Sequence, residues 1–343
     1  MSLPPVSVEP SDIAAAARLL EQGQLVAFPT ETVYGLGADA ENPAALARIY
    51  AAKGRPSNHP VIVHLAAGAD LDHWVGMVPA QAHQLIAAFW PGPLTLILPR
   101  APNIPAAVAG GQDSIGIRCP AHPVAQALLR AFKDGRGGIA APSANRFGRV
   151  SPTSAQHVRD EFGTGANSPV AAVLDGGQSE VGIESTIVDL TRLRSHGPVL
   201  LRPGRISAAA LAAVLGVMPA TPDGSAPRAA GTLAAHYAPH TPVALVSSAK
   251  LAATVQRLVV ARRKISLLHS TPYDSPALTC VIRLPPLPAP YAQGLYAALR
   301  RLDTAGADVI LVEAVPATPE WLAVNDRLQR AAHGSTGILE RLF

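Results

Sequence analysis

The chain of 343 residues has only two cysteines, Cys119 and Cys280. Two thiols so far apart in sequence build neither a disulfide framework nor a cysteine-rich zinc site. Aromatic residues make up 4%, too few for a base-stacking nucleic-acid platform. There are four lysines, Lys53, Lys133, Lys250 and Lys264, so arginine carries most of the positive charge in a net balance of +4. Such a mild excess is not the footprint of a dedicated nucleic-acid binder. It suits an anionic ligand gripped by the planar arginine fork, and equally a codon bias toward arginine. No apolar run approaches the ~20 residues that span a bilayer. The first ten residues hold prolines and a glutamate, without the basic and apolar stretches of a secretion signal. A soluble, cytoplasmic protein with no membrane contact is expected. The phrases G-x-x-x-x-G-K-[ST], G-x-S-x-G and H-E-x-x-H are all missing, which excludes P-loop, serine-elbow and zincin chemistry. The eleven histidines do not cluster with cysteines as zinc ligands would, so no protein-held metal site is expected.

Hydrophobic residues make up 48% and charged residues 15%, with 33 prolines and 28 glycines. That is ample core material, in a loop-rich pattern typical of α/β proteins. The length suggests two domains. Residues 1–217 carry dense Gly/Pro turns and nearly all the unusual polar phrases. Residues 218–240, containing PATPDGSAPRAAGTLAAHYAPH, read as a linker. Residues 241–343 alternate apolar strands with amphipathic helices.

In the first region a helix opens at Ser11 or Asp12, either able to cap it, and Gly23 stops it. A second helix starts with Asn42 as cap and Pro43 at its first position and runs to about residue 52. Further helices are expected at 79–89 and 123–132. Strands are expected at 25–28, 61–65, 94–98, 114–118, 139–141, 170–174, 186–190 and 199–201. Short connections make the sheet mixed. The last region reads as strands at 243–246, 265–268, 279–284 and 309–312, with helices at 249–261, 291–305 and 320–332. This is a small open layer of Rossmann-like type, without the G-x-G-x-x-G turn of a dinucleotide site.

Six stretches carry polar groups where strands meet loops. FPTETVYGLG, residues 28–37, leaves a strand for a loop with two threonines and a glutamate, a place where α/β sheets bind ligands or simply turn. KGRPSNHPVIVH, residues 53–64, puts Lys53 and Arg55 at a helix end, where cations also suit the helix dipole. The stiff loop can hold both toward one phosphate. His64 lies in an apolar strand, ordinarily the place of a satisfied core histidine. SIGIRCP, residues 114–120, places Ser114, Gly116 and Arg118 on one strand face, with the glycine leaving room for a carboxylate or phosphate, or on an exposed face. APSANRFGRVSPT, residues 141–153, runs a buried strand into small hydroxyls and amides that suit phosphate. Ser151 or Thr153 can cap the next helix. DGG with VGIESTIVD, residues 175–189, and LRPGR, residues 201–205, are weaker signals alone.

Together, in this order and spacing, the six stretches resemble the threonylcarbamoyl-AMP synthase family, built on the YrdC-type fold. The resemblance covers residues 11 to about 216 closely, and the HYAP phrase with the extra domain resembles the long, two-domain form. It implies a YrdC-like mixed, twisted α/β sheet domain followed by a smaller Rossmann-like one. The implied reaction joins L-threonine, bicarbonate and ATP into L-threonylcarbamoyl-AMP and pyrophosphate. The product serves N6-threonylcarbamoyladenosine formation at position 37 of tRNAs reading ANN codons, through separate transfer proteins. Family analogy places Thr32, His64, Arg118, Ala141 and Ser185 around threonine, with Arg118 on its carboxylate. It places Arg55, His59, Ser114, Ser143, Ser151, Arg202 and Tyr237 around ATP. Lys53 and Asn145 belong to the matching Lys-x-Arg and Ser-x-Asn phrases, and Lys53 with Arg55 is expected to neutralise phosphate charge, helped by Mg²⁺. Tyr237, on the linker, either closes as a lid or anchors the domains. His59 stands where the family often has a small amide, and Ala226-Pro227-Arg228 where it often has Ser-Pro-Gly.

Three other readings stay in view. An RNA-binding module, or a weaker contact with tRNA, predicts affinity that falls steeply with salt. The carbamoyl-transfer factor of hydrogenase maturation has a similar domain, but also zinc-finger cysteines that two thiols do not supply. A silent regulatory paralogue is at odds with intact Lys53, Arg55, Ser143 and Asn145.

Overall fold

The structure, a computed structural model, describes residues 8–273 and 277–343. The first seven residues, included above in the search for a secretion signal, lie outside the described part. The chain forms two compact units, Met1–Phe147 with Pro152–Thr232, and Gly148–Ser151 with Leu233–Phe343. The division after Thr232 falls inside the stretch read as a linker. Its first half packs on the first unit: Ala226 and Ala229 join a cluster with Ile97, Ile187, Val199 and Leu201. Arg228 holds Gln112 and the Gly110 carbonyl.

The first unit is built on a nine-stranded sheet. Its strands are β1 (Val26–Phe28), β2 (Gly35–Asp39), β3 (Ile62–His64), β4 (Leu94–Pro99), β5 (Ser114–Arg118), β6 (Ile139–Ala140), β7 (Ala172–Val173), β8 (Thr186–Asp189) and β9 (Val199–Arg202), in the order β7-β1-β2-β6-β3-β5-β4-β8-β9. The sheet is mixed: β3 runs parallel to β5 and β4 to β8, whereas β1–β2, β2–β6, β3–β6, β4–β5 and β8–β9 are antiparallel. Successive residues bury on opposite faces. Val26 and Phe28 join Leu20, Leu128 and Phe132 on one side, while Ala27 joins Leu36, Val63, Leu96 and Ile117 on the other.

Three local expectations need correction. The stretch read as a loop through Gly37 has low strand propensity, yet Gly35–Asp39 forms β2, fully buried and paired on both edges. The first helix, Pro10–Glu21, has no side-chain cap, and Ser11 and Asp12 lie inside its first turn. The helix after β6, Ala155–Phe162, is capped by Ser154, whose side chain accepts from the His157 N–H, not by Ser151 or Thr153. The cap read from Asn42-Pro43 is present: Asn42 Oδ1 accepts from the Ala44 and Ala45 amides, and Gly54 ends the helix Pro43–Lys53 in the left-handed conformation.

In the second unit β10 (Val243–Val246), β11 (Ile265–His269), β12 (Cys280–Arg283) and β13 (Val309–Glu313) lie in the order β10-β13-β11-β12, all parallel. The helices Ser248–Val260, Pro288–Asp303 and Leu322–His333 supply its apolar faces. Glu313, at the end of β13, accepts from the Ser270 and Thr271 amides at 2.7 and 3.0 Å and from the Thr271 hydroxyl at 2.6 Å. Burial pushes its carboxyl up, but the hydrogen bonds from Thr271, Ser270 and Ser248 win and bring it down to about 2.

Two stability outcomes follow. A Cβ on Gly204 would lie 2.4 Å from the Thr186 backbone nitrogen. Gly204→Ala is therefore expected to destabilise by about 2–3 kcal/mol or more, while Gly224→Ala, with open space around it, leaves the thermal midpoint unchanged. Glu313 has a lowered folded pKa, so its contribution is present above the ordinary 4.5 and fades as pH falls toward about 2. Glu313→Gln should reduce stability at neutral pH by about 1–3 kcal/mol and flatten the acid limb of a denaturation series.

Candidate active site

The loop after β1 is built around one hydroxyl. Thr30 Oγ1 accepts from the Thr32 and Val33 amides and donates to the Val33 carbonyl at 2.6 Å. Its proton is thus committed, so in the 2.8 Å contact between the two threonine hydroxyls it is Thr32 that donates. Thr32 Oγ1 in turn accepts from Arg118 Nη1 at 2.8 Å. The chain of donors leaves Thr32 with acceptor capacity only.

Parallel pairing puts His64, the last residue of β3, opposite Arg118, the last residue of β5. Both are buried, at 3% and 4% exposure. Arg118 Nη2 donates to Glu31 Oε1 at 2.6 Å, and its Nε to the Gly92 carbonyl at 3.3 Å. Burial first, and the Arg118 charge second, push the His64 imidazole down to about 3, so it is neutral near pH 7. Its Nδ1 is buried and has no hydrogen-bond partner among the described residues. Ala141 lies beside β3, its amide on the Ile62 carbonyl.

Ser185, just before β8, shares a 2.8 Å hydrogen bond with Thr95 of β4. Arg202 clasps it from β9, with Nε and Nη2 on the Ser185 carbonyl at 3.0 and 2.9 Å and Nη2 on its hydroxyl at 3.1 Å.

The cationic helix end faces the loop after β6. Lys53 is buried, and its Nζ donates to the Ser143 and Asn145 carbonyls. Burial, and then the neighbouring Arg55, hold its pKa well below the ordinary lysine value, against a weaker opposing pull from Glu161. The Phe147 amide returns a bond to the Lys53 carbonyl at 2.8 Å. Arg55 donates to the Pro60 carbonyl at 2.7 Å and more weakly to His59, with its guanidinium 5.6 Å from the Phe147 ring centre. The His59 ring meets Phe147 edge-on, and burial with the Arg55 and Arg228 charges lowers its pKa. The loop itself is pinned to β2, with Leu36 N on the Pro142 carbonyl and Ala144 N on the Tyr34 carbonyl, each at 2.8 Å.

The structure therefore brings Thr32, Arg118 and His64 together, Ser185 with Arg202, and Lys53 with Ser143 and Asn145. Arg55 and His59 are in direct contact. Ser114 opens β5 and Arg118 closes it, so they stand about 13 Å apart along the strand. The space at Gly116 is not free for a ligand: a Cβ there would meet Ile97 Cδ1 at 3.2 Å and Ile62 and Thr95 at 3.5 Å. Ser151 and Tyr237 both belong to the second unit. The Tyr237 ring lies 4.1 Å from His236, 5.7 Å from Tyr296 and 5.3 Å from the Arg327 guanidinium, at a left-handed φ of 60°. Sequence reading missed Glu31, Thr30 and Thr95. The first two stand in the motif that was singled out, but their partners are set by pairing across the sheet.

The family model Sua5_yciO_yrdC, described as telomere recombination, matches residues 18–204. The model described as threonylcarbamoyl-AMP synthase, C-terminal domain, matches residues 206–333. The threonylcarbamoyl-AMP synthase of Pyrococcus abyssi is 38% identical over 336 residues, 95% of either chain. That of Bacillus subtilis is 38% identical over 340 residues, 96% of this chain and 95% of its own. A crystal structure of P. abyssi Sua5 complexed with L-threonine is similar with a TM-score of 0.85 at 37% identity, covering 95% of both chains. With family models over both halves and relatives aligned along nearly the whole length, the chain belongs to the two-domain threonylcarbamoyl-AMP synthase family.

Proposed function

We propose that the chain joins L-threonine, bicarbonate and ATP into L-threonylcarbamoyl-AMP and pyrophosphate, as a nucleotidyltransferase serving threonylcarbamoyl modification of tRNA by separate transfer proteins. The amine and bicarbonate give a carbamate and water, with one proton released if the amine enters as ammonium. A carbamate oxygen then attacks the α-phosphorus, and pyrophosphate leaves. This chemistry requires positioning and charge neutralisation rather than a covalent nucleophile.

The observation that carries the reading is the buried set at the ends of β3 and β5, which is complementary to a threonine. Arg118 offers N–H donors to the carboxylate. Thr32 offers only an acceptor, which suits the amine or hydroxyl. His64, held neutral by burial and by the Arg118 charge, has a buried Nδ1 without a hydrogen-bond partner among the described residues, and is assigned to the threonine hydroxyl. Ala141 and Ser185 are assigned to the same substrate.

Lys53 and Arg55 are assigned to charge stabilisation at the phosphates, with His59, Ser114, Ser143, Asn145 and Arg202 toward the nucleotide. Lys53 has three N–H groups and two are committed to carbonyls, so one remains for a phosphate oxygen, whose charge would raise the depressed pKa again. Ser151 and Tyr237 lie in the other unit and do not carry the assignment. Among the described residues no three His, Cys, Asp or Glu side chains converge as a metal cage. Mg²⁺ fits as the companion of the triphosphate, held by phosphate oxygens and water, where it would neutralise leaving-group charge. No helix among the described residues is long and apolar enough to cross a membrane.

A pyrophosphate-release assay tests this directly. Release should require ATP, threonine and bicarbonate together, and Lys53→Ala and Arg55→Ala should each reduce it by about 100-fold or more. Near-normal release by both variants would remove the phosphate assignment. For His64, the unfolded chain binds a proton between the folded value of about 3 and the ordinary 6.5 that the folded state refuses. Stability should therefore fall as pH drops through that window, by up to about 1.4 kcal/mol per pH unit. A thermal-midpoint series for His64→Gln should lack that component, and the wild-type rate profile should show no His64 step between about pH 5 and 8.

A further inference from the structure

Glu31 is only 5% exposed, and both of its carboxylate oxygens are engaged. Oε1 accepts from Arg118 Nη2 at 2.6 Å, and Oε2 accepts from the Ala121 amide at 3.1 Å. Its carbonyl accepts from the Val181 amide at 2.7 Å, so backbone and side chain are both fixed. A carboxylate tied in this way is not placed to take a proton from a substrate. Its effect passes through Arg118.

A guanidinium has five N–H groups. Arg118 directs one from Nη2 to Glu31, one from Nη1 to Thr32 and Nε–H to the Gly92 carbonyl. Among the described residues one N–H on each terminal nitrogen has no acceptor, and buried donors are normally filled. Donors on the two terminal nitrogens of a planar guanidinium can meet the two oxygens of a carboxylate.

We propose that Glu31 is a positioning residue for substrate recognition: with Thr32 and Gly92 it aims the Arg118 guanidinium so that its two unfilled N–H groups receive the amino-acid carboxylate. The proposal rests on the assignment of Arg118 to that carboxylate. Glu31 also offsets the arginine charge, so selection depends on the two-pronged fit rather than on a bare positive field.

The test is calorimetric titration of the full-length protein with L-threonine and with L-threoninamide, which lacks the carboxylate. Wild type, Glu31→Gln, Arg118→Gln and the double variant are compared. Glu31→Gln should weaken threonine binding by about tenfold or more while changing threoninamide binding little, and should add little in the Arg118→Gln background. Equal weakening of both ligands, or full additivity in the double variant, would reduce Glu31 to a structural residue and overturn the proposal. If Glu31→Gln does not fold, Glu31→Asp serves: it keeps the charge but is too short to bridge Arg118 and Ala121, and the same selective loss is expected. Arg118→Gln that binds threonine like wild type would overturn the Arg118 assignment itself. A normal Arg118→Gln defect beside unaffected Glu31 variants would overturn only the role of Glu31.

Discussion

The site depends on keeping a guanidinium out of water at the end of a strand. Burying an unpaired charge costs several kcal/mol, and Arg118 is tolerated because Glu31, Thr32 and Gly92 each meet one of its donors. Those three acceptors also determine its direction. The parallel register of β3 and β5 then brings His64 beside it, and burial, aided by the neighbouring cation, keeps that imidazole neutral. One constraint thereby yields a fixed cation, a neutral nitrogen and a hydroxyl with acceptor capacity in the same place.

The cationic helix end follows a related logic with a different device. Lys53 and Arg55 lie close together, and burial first, then the Arg55 charge, holds the Lys53 pKa down. Backbone carbonyls of residues 60, 143 and 145 accept from them. Carbonyl dipoles orient a cation without cancelling its charge. The loop that provides two of those carbonyls is pinned to β2 by backbone bonds. The glycine-rich strand that sequence reading took for a loop is therefore what steadies the Ser-x-Asn segment.

The second unit shows the same preference for charge held by backbone groups. Glu313 closes the end of β13 by accepting from two consecutive amides and a hydroxyl. The carboxylate thereby ties the carboxyl end of β13 to the segment after β11.

Much of the architecture was legible from periodicity and punctuation. Asn42-Pro43 with Gly54 declares a helix, apolar alternation declares most strands, and motif order declares the family. β2 and the cap at Ser154 were not legible, because propensity is weak there and pairing partners decide. Among the site residues, Lys53, Arg55, His64 and Arg118 are visible as polar groups at element ends. What each one touches is not, because Glu31 and Arg118 are separated by 87 positions and Arg202 and Ser185 by 17. Sequence alone determined which chemical groups the chain carries and which local elements present them, since those depend on near neighbours. Only the tertiary structure decided which oxygen meets which nitrogen and which groups stay charged, since hydrogen-bond partners and desolvation are set by segments that the chain brings together across the sheet.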